Sequence, residues 1–250
     1  MNTKTSIVEK FTLPSKGLIY DSPINSEVTL RSMTTMDELI RLSPSTKPYS
    51  FMASLIQSCI VGELGMDVED LCLADYQFLL HKLRIITYGP EYPMMTRCPF
   101  CGKIEDQVIN LDELECVSYT DEMKELFTIH LPVYDVDVKL NYSTPRMLDR
   151  ILERKQEILD KNPEALDPTF ILTLQELIDK VDGQSLNRVK LEGFVQNMNM
   201  KDANLIIRQS DKINQGIGLD LNIVTKCSHC GLDYVSTFRE TSEFLRPTLY

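Results

Sequence analysis

Four of the seven cysteines in the chain stand in two matched units, Cys98-Pro-Phe-Cys101-Gly102 and Cys227-Ser-His-Cys230-Gly231. Two intervening residues let both sulfurs of a unit turn toward one point. The glycine that follows accepts the positive φ of a tight turn and leaves backbone amides free to donate to thiolates. The likeness reaches outward, since Thr96-Arg97 precedes the first unit and Thr225-Lys226 the second. Cys98, Cys101, Cys227 and Cys230 together make a tetrahedral sulfur set for one zinc ion, in the manner of a zinc ribbon. Four thiolates close the coordination sphere, so such a metal would be structural, with no position for water or substrate. His229, between the second pair, then reads as a surface residue of the knuckle. A lone Cys-x-x-Cys can instead be a redox pair, most often at the start of a helix after a strand. Here each unit is followed by glycine in a strand-rich stretch. Two reduced pairs without metal are the plainer alternative.

The other reactive residue types are sparse. Cys59 and Cys72 sit among apolar helical residues and read as small hydrophobes, while Cys116 lies in the acidic stretch Asp112-Glu-Leu-Glu-Cys116. Of the three histidines, His81 falls on an apolar helical pattern and reads as a core or boundary residue; His130 alternates with Ile129 and Leu131 and reads as solvent-facing. No glycine-rich phosphate loop, Gly-x-Ser-x-Gly or His-Glu-x-x-His is present. The carboxylates form no pair suited to acid–base work, and Asp149, Glu153 and Glu157, at i, i+4 spacing, read as a solvated helix face.

The elements that must hold the two units follow from periodicity. Residues 1–35 read as extended, with a turn at Pro14 and Gly17 and a short strand at Val28–Arg31. Residues 36–90 read as helical. One helix starts near Met36, a second covers Tyr49–Val61 with Phe51, Leu55, Ile56 and Cys59 on its buried face, and a third runs from Leu73 to about Ile86. Residues 91–143 change to a strand period, with one hairpin around the first cysteine unit and another over Leu126–Tyr142. Residues 144–216 read as a helical insertion, opening on Thr144-Pro145, with a second helix from Asp167-Pro168 to Asp182-Gly183 and two more to about Asn214. Strands return in 217–250 around the second unit, and the tail has room for a helical turn before Pro247. The fold class is therefore α+β: N-terminal helices and a small-strand zinc-ribbon-like module, interrupted by a helical insertion that explains the long gap from Cys101 to Cys227.

Composition sets the surroundings. The chain has 250 residues and a net charge of −11, from 37 acidic and 26 basic residues. Phosphate neutralisation favours a basic face, so this balance counts against nucleic-acid binding. Arg97, Lys103 and Lys226 near the knuckles are the only feature favouring a zinc-ribbon nucleic-acid-binding accessory factor. No apolar run approaches the roughly 18 residues that span a bilayer. The opening MNTKTSIVEKF has no secretory pattern, so a cytoplasmic, disulfide-free setting is expected.

Three stretches carry a resemblance. They are Phe11-Thr-Leu-Pro-Ser-Lys-Gly-Leu-Ile-Tyr20 with Val28–Thr35, then Leu79-Leu-His-Lys-Leu-Arg-Ile-Ile-Thr-Tyr-Gly-Pro-Glu-Tyr92, then Cys98–Gly102. In this order they resemble the T4-type bacteriophage baseplate proteins, specifically the baseplate hub subunit and hub assembly group. The resemblance covers mainly residues 8–110 and the second knuckle. It implies a non-enzymatic structural or assembly protein of a contractile tail, acting in the host cytoplasm or in the virion through contacts with other baseplate or hub proteins. No nucleic acid, membrane or small-molecule substrate is implied. The apolar residues Phe11, Leu13, Leu18, Ile19 and Tyr20 would let the N-terminal segment dock in a groove, either of its own fold or of a partner. An enzyme carrying a structural zinc is the remaining rival, and it requires a polar pocket with perturbed groups.

Overall fold

The structure is a computed structural model that describes residues 6–238, 240 and 244–246. Strand β1 (Val8–Thr12) pairs antiparallel with β2 (Glu27–Arg31), joined by a turn region in which Lys16 and Gly17 take positive φ. Helix α1 (Thr35–Leu42) begins at Thr34, whose amide and hydroxyl both donate to Asp37 at 2.7 Å. Helix α2 (Pro48–Cys59) starts on Pro48 and leads into β3 (Ile60–Val61), which completes the first sheet against β2. Helix α3 (Leu73–Tyr88) stops at Gly89, whose φ of 90° an L side chain rarely adopts.

The first cysteine unit is the tip of the hairpin β4 (Glu91–Arg97) and β5 (Ile104–Asn110). A two-residue strand β6 (Cys116–Val117) follows, then the hairpin β7 (Thr128–Leu131) and β8 (Val136–Leu140). Helices α4 (Pro145–Lys161) and α5 (Thr169–Leu177) come next, then strand β9 (Ile178–Val181), α6 (Arg188–Gln196) and α7 (Met200–Gln215). The short β10 (Gly218–Leu219) pairs with β6, and the second cysteine unit caps the hairpin β11 (Asn222–Lys226) and β12 (Asp233–Thr237). This is an α+β fold, as the periodicity predicts.

Two apolar cores and a small third cluster hold it together. The first core gathers β2, α2 and α3 with Leu13 and Tyr20 beneath the first sheet, and reaches the bases of both cysteine hairpins through Ile109 and Phe238. The second is built from β7, β8 and α4 to α7, with Leu131, Val138, Leu140, Leu174 and Ile206 at its centre. The third contains Cys98, Cys227 and Tyr234 alone.

Several sequence expectations change. Residues 178–181 are a strand, where a continuous helix to Asp182-Gly183 is expected from the pattern. Ile178-Asp-Lys-Val181 alternates as readily as it spirals, and β8 offers an open edge that Ile178 to Val181 join. The same Asp182-Gly183 pair then turns the chain at positive φ instead of ending a helix. The hairpin at 128–140 consequently shares a sheet with a strand from the helical stretch. Residues 126–127 finish a 3-10 turn instead of starting a strand. Asp149 is not on a solvated face: it is 3% exposed and accepts the amides of Tyr49 and Ser50 at the start of α2. Phe51 is half-buried; Ala53 takes its place with Leu55, Ile56 and Cys59 on the buried side of α2. Cys116 pairs through its backbone with β10. Most of the tail expected to form a helical turn lies outside the described residues.

The N-terminal segment docks on its own fold. Leu13 and Tyr20 are buried, Phe11 meets Phe78 edge-on at 6.3 Å, and Leu18 stays exposed. The fully buried Asp75 of α3 fastens it. It accepts the Ser15 amide at 2.9 Å, the Ser15 hydroxyl, and the Tyr20 hydroxyl at 2.6 Å. Three donors on one carboxylate satisfy what would otherwise be a costly buried group.

Candidate metal centre

Each cysteine unit folds the same way. The Cys98 amide donates to the Lys103 carbonyl at 2.9 Å, and the Gly102 amide returns to the Cys98 carbonyl at 2.9 Å. In the second unit the Cys227 amide donates to Leu232 at 3.0 Å, and Gly231 returns to Cys227 at 2.9 Å. Gly102 and Gly231 both have φ of 72°. The glycine amide therefore closes the turn. The amides facing the sulfurs are those of Phe100 and Cys101 toward Cys98, and of Cys230 and His229 toward Cys227.

The two tips meet. The sulfurs of Cys98, Cys101, Cys227 and Cys230 all lie within 4.8 Å of one another. Across the hairpins, Cys98 Sγ is 3.7 Å from Cys230 Sγ and Cys101 Sγ is 3.6 Å from Cys227 Sγ. Sulfurs about 2.3 Å from a tetrahedral zinc stand about 3.8 Å apart, so the donor set fits that ion in type, number and spacing. Cys98 and Cys227 are buried, and Cys101 and Cys230 form the exposed side.

Proton affinities reflect the crowding. Burial raises Cys98, yet the amides of Cys101 and Phe100 and the neighbouring sulfurs draw it down to about 7. Cys227 goes the other way, to about 12. The Cys230 amide lowers it, but burial and the sulfurs of Cys230 and Cys101 outweigh that. Cys230 is also raised: the Leu232 amide lowers it, and burial with the sulfurs of Cys98 and Cys101 prevails. Four thiolates at this spacing repel one another, and a cation removes that conflict.

Polar contacts outside the sulfur set clasp one hairpin to the other. The two hairpins are separate two-stranded sheets with no ladder between them. Glu105 of β5 accepts the Ser228 amide at 2.8 Å and the Ser228 hydroxyl at 2.7 Å, and lies 3.4 Å from Cys227 Sγ. The hydroxyls of Thr96 and Tyr234 meet at 2.7 Å in the interior, and Thr225 donates to Gln107 at 2.9 Å. Thr96 faces Glu105 across its hairpin as Thr225 faces Tyr234 across the other, so equivalent positions carry the clasp from each side. Periodicity gives no sign of Glu105, Gln107 or Tyr234. The repeated threonine two residues before each unit is the only sequence signal, and it marks Thr96 and Thr225 alone.

His229 is exposed beside the sulfurs, and His130 pairs on the surface with Asp137 at 3.0 Å. His81 is buried, its Nδ1 2.8 Å from the Gln77 carbonyl and its Nε2 without a partner among the described residues. Burial lowers it to about 4. Cys72 is buried against Tyr20, and burial with the Asp75 charge pushes its thiol up well beyond the ordinary range. A groove of about 840 Å³ between α2, α3 and α4 is mostly apolar, with Phe51, Met52, Leu80 and Phe244 among its walls. No described helix is long and apolar enough to cross a membrane.

Fold and site together define an α+β protein whose two Cys-x-x-Cys-Gly hairpins are brought tip to tip by the structure between them. A family model described as T4 bacteriophage base plate protein matches residues 7–246, nearly the whole chain, and the chain belongs to that family. The match extends through the helical stretch, where the sequence resemblance is weakest. No curated protein and no solved structure matches the chain.

Proposed function

We propose that Cys98, Cys101, Cys227 and Cys230 hold one structural zinc ion, and that the chain is a non-enzymatic component or assembly factor at the hub of a contractile-tail baseplate. The observation that carries the metal reading is the convergence of four sulfurs to tetrahedral spacing from hairpins that share no ladder. Membership of the base plate family supports the tail assignment. The metal would do no chemistry. It would fix the second hairpin, and the Phe238 and Phe244 cluster behind it, to the middle of the chain. The surface so fixed would act by protein–protein contact with other baseplate proteins, in the host cytoplasm during assembly and then in the tail.

Two measurements test the two halves of this reading. Elemental analysis of purified protein should give one zinc per chain, and none in the Cys98→Ser, Cys227→Ser double variant. An equal loss-free metal content in both proteins would remove the site. Mass spectrometry of purified virions beside infected-cell lysate decides the role. Presence in both marks a component, presence in lysate alone marks an assembly factor, and failure to associate with any tail protein in either overturns the baseplate role.

A further inference from the structure

Helix α1 is turned inside out. Its charged side chains lie against the protein, and most of its apolar ones face away. Asp37 is 3% exposed, and its carboxylate accepts both terminal nitrogens of Arg31 at 2.6 and 2.9 Å and the Ser58 hydroxyl at 3.0 Å. Arg31 also donates to the Ser58 carbonyl at 2.7 Å. Arg41 is almost covered and holds Glu38, one turn back, through its Nε at 2.8 Å. These bonds fix the roll of the helix. Ile40 turns toward the first core. Met36, Leu39 and Leu42 are left 68%, 58% and 60% exposed. Spaced three apart, they lie along one side of the helix. Single exposed apolar residues are ordinary, but an outward apolar stripe above buried ion pairs is the pattern of a contact face.

The symmetry of the stripe says what fits it. Met36 and Leu42 stand three residues on either side of Leu39, so the stripe reads alike in both directions. A second copy of the helix, antiparallel and related by a twofold axis at Leu39, sets Leu39 against its own equivalent and Met36 against Leu42. Leu42 also lines the mostly apolar groove between α2, α3 and α4, together with Tyr49 and Met52. Met36 of the copy then reaches the edge of that groove, and an unbranched methionine fills irregular gaps well. The charges agree with this pairing. Glu38 and Arg41 lie on one flank of the stripe. Reversal about Leu39 brings Glu38 within one residue's rise, about 1.5 Å along the axis, of the copy's Arg41. Acid then faces base on that flank, and the two helix dipoles oppose. Arg31 and Arg41 balance Asp37 and Glu38, so in a chain of net charge −11 this face is neutral and a copy meets no like-charged patch there.

We infer that α1 is the face through which two copies of this chain pair, antiparallel across a twofold axis at Leu39. This goes beyond the metal and baseplate reading and does not depend on it. The surface is small, so the pairing belongs to the weak, reversible class.

Sedimentation equilibrium of the full chain tests it. The average mass should climb from one chain toward two between about 10 µM and 1 mM. Leu39→Glu and Leu39→Lys each place like charges together on the axis, and each should weaken pairing about a hundredfold. Mixed in equal amounts, the two variants should pair again, because the axis then holds one acid and one base. Both substitutions put a good helix former at an exposed position and should leave the far-ultraviolet spectrum unchanged. Should either variant fail to fold, amide exchange in the unaltered chain makes the same test. Exchange across 36–42 should slow as concentration rises, while exchange across 200–215 should not depend on it. A chain that stays monomeric throughout, a dimer that survives both single variants, folded variants that do not pair when mixed, or exchange across 36–42 that ignores concentration would overturn the inference.

Discussion

Glu105 and Ser228 lie on different hairpins, far apart in sequence, and the carboxylate of one accepts both the amide and the hydroxyl of the other, at 2.8 and 2.7 Å. The contact sits one residue from Cys227, so it orients a knuckle from outside the sulfur set. Groups of this kind around a metal typically change affinity by 10–100-fold when removed. Glu105→Ala should release zinc to a chromophoric chelator at about tenfold lower chelator strength, with the far-ultraviolet spectrum unchanged. Equal zinc affinity in the variant would show that the clasp does not support the metal.

Metal removal should act locally. The cysteine hairpins share no ladder, and among the described residues the small sulfur cluster and the cross-contacts of Glu105, Thr96 and Thr225 join their tips. The second core, by contrast, contains none of the four cysteines. Chelation at neutral pH should therefore speed amide exchange across 91–110 and 222–237 and leave 145–215 protected. Uniform loss of protection would mean that the metal governs the whole fold.

Asp149 joins the long helix α4 to the start of α2. Its carboxylate accepts the Ser50 amide at 2.6 Å and the Tyr49 amide at 3.2 Å, capping a helix that Pro48 opens and that has no acidic residue in its own first turn. Asp149→Ala leaves both amides unsatisfied and should cost about 1–2 kcal/mol in urea unfolding. Asp149→Asn keeps an acceptor and should cost less. Equal losses in the two variants would argue for the charge alone.

Stability should fall on mild acidification through His81. Burial holds its folded-state pKa at about 4 against an ordinary value of 6.5. The unfolded chain thus binds the extra proton first, so the contribution is intact above pH 6.5 and is lost as pH falls toward 4. At pH 5 the loss should be about 2 kcal/mol relative to pH 7.5. Glu240 lies 3.7 Å from His81 Nδ1 and is held above the usual carboxylate range by burial, which acts in the opposite direction. Urea unfolding at the two pH values, in Glu240→Gln and in the double variant with His81→Phe, separates them. The double variant should lack the loss, and its persistence would clear His81 of the effect.

Much of this protein is written in local sequence. The Cys-x-x-Cys-Gly spacing specifies two knuckles, because glycine alone relaxes into the turn. Thr144-Pro145 and the apolar spacing of Leu79, Leu83 and Ile86 specify helices, since a 3.6-residue period needs no distant partner. What tertiary structure decided is whatever depends on a neighbour from elsewhere in the chain. Ile178–Val181 became a strand because β8 presented an edge. Asp149 and Asp75 became buried anchors because unpaired amides and hydroxyls of remote segments came to rest beside them. Glu105 became part of the sulfur cluster's support only once the second knuckle lay against it. Periodicity reports the face a residue turns to its own element, and it carries no record of which element that face will meet.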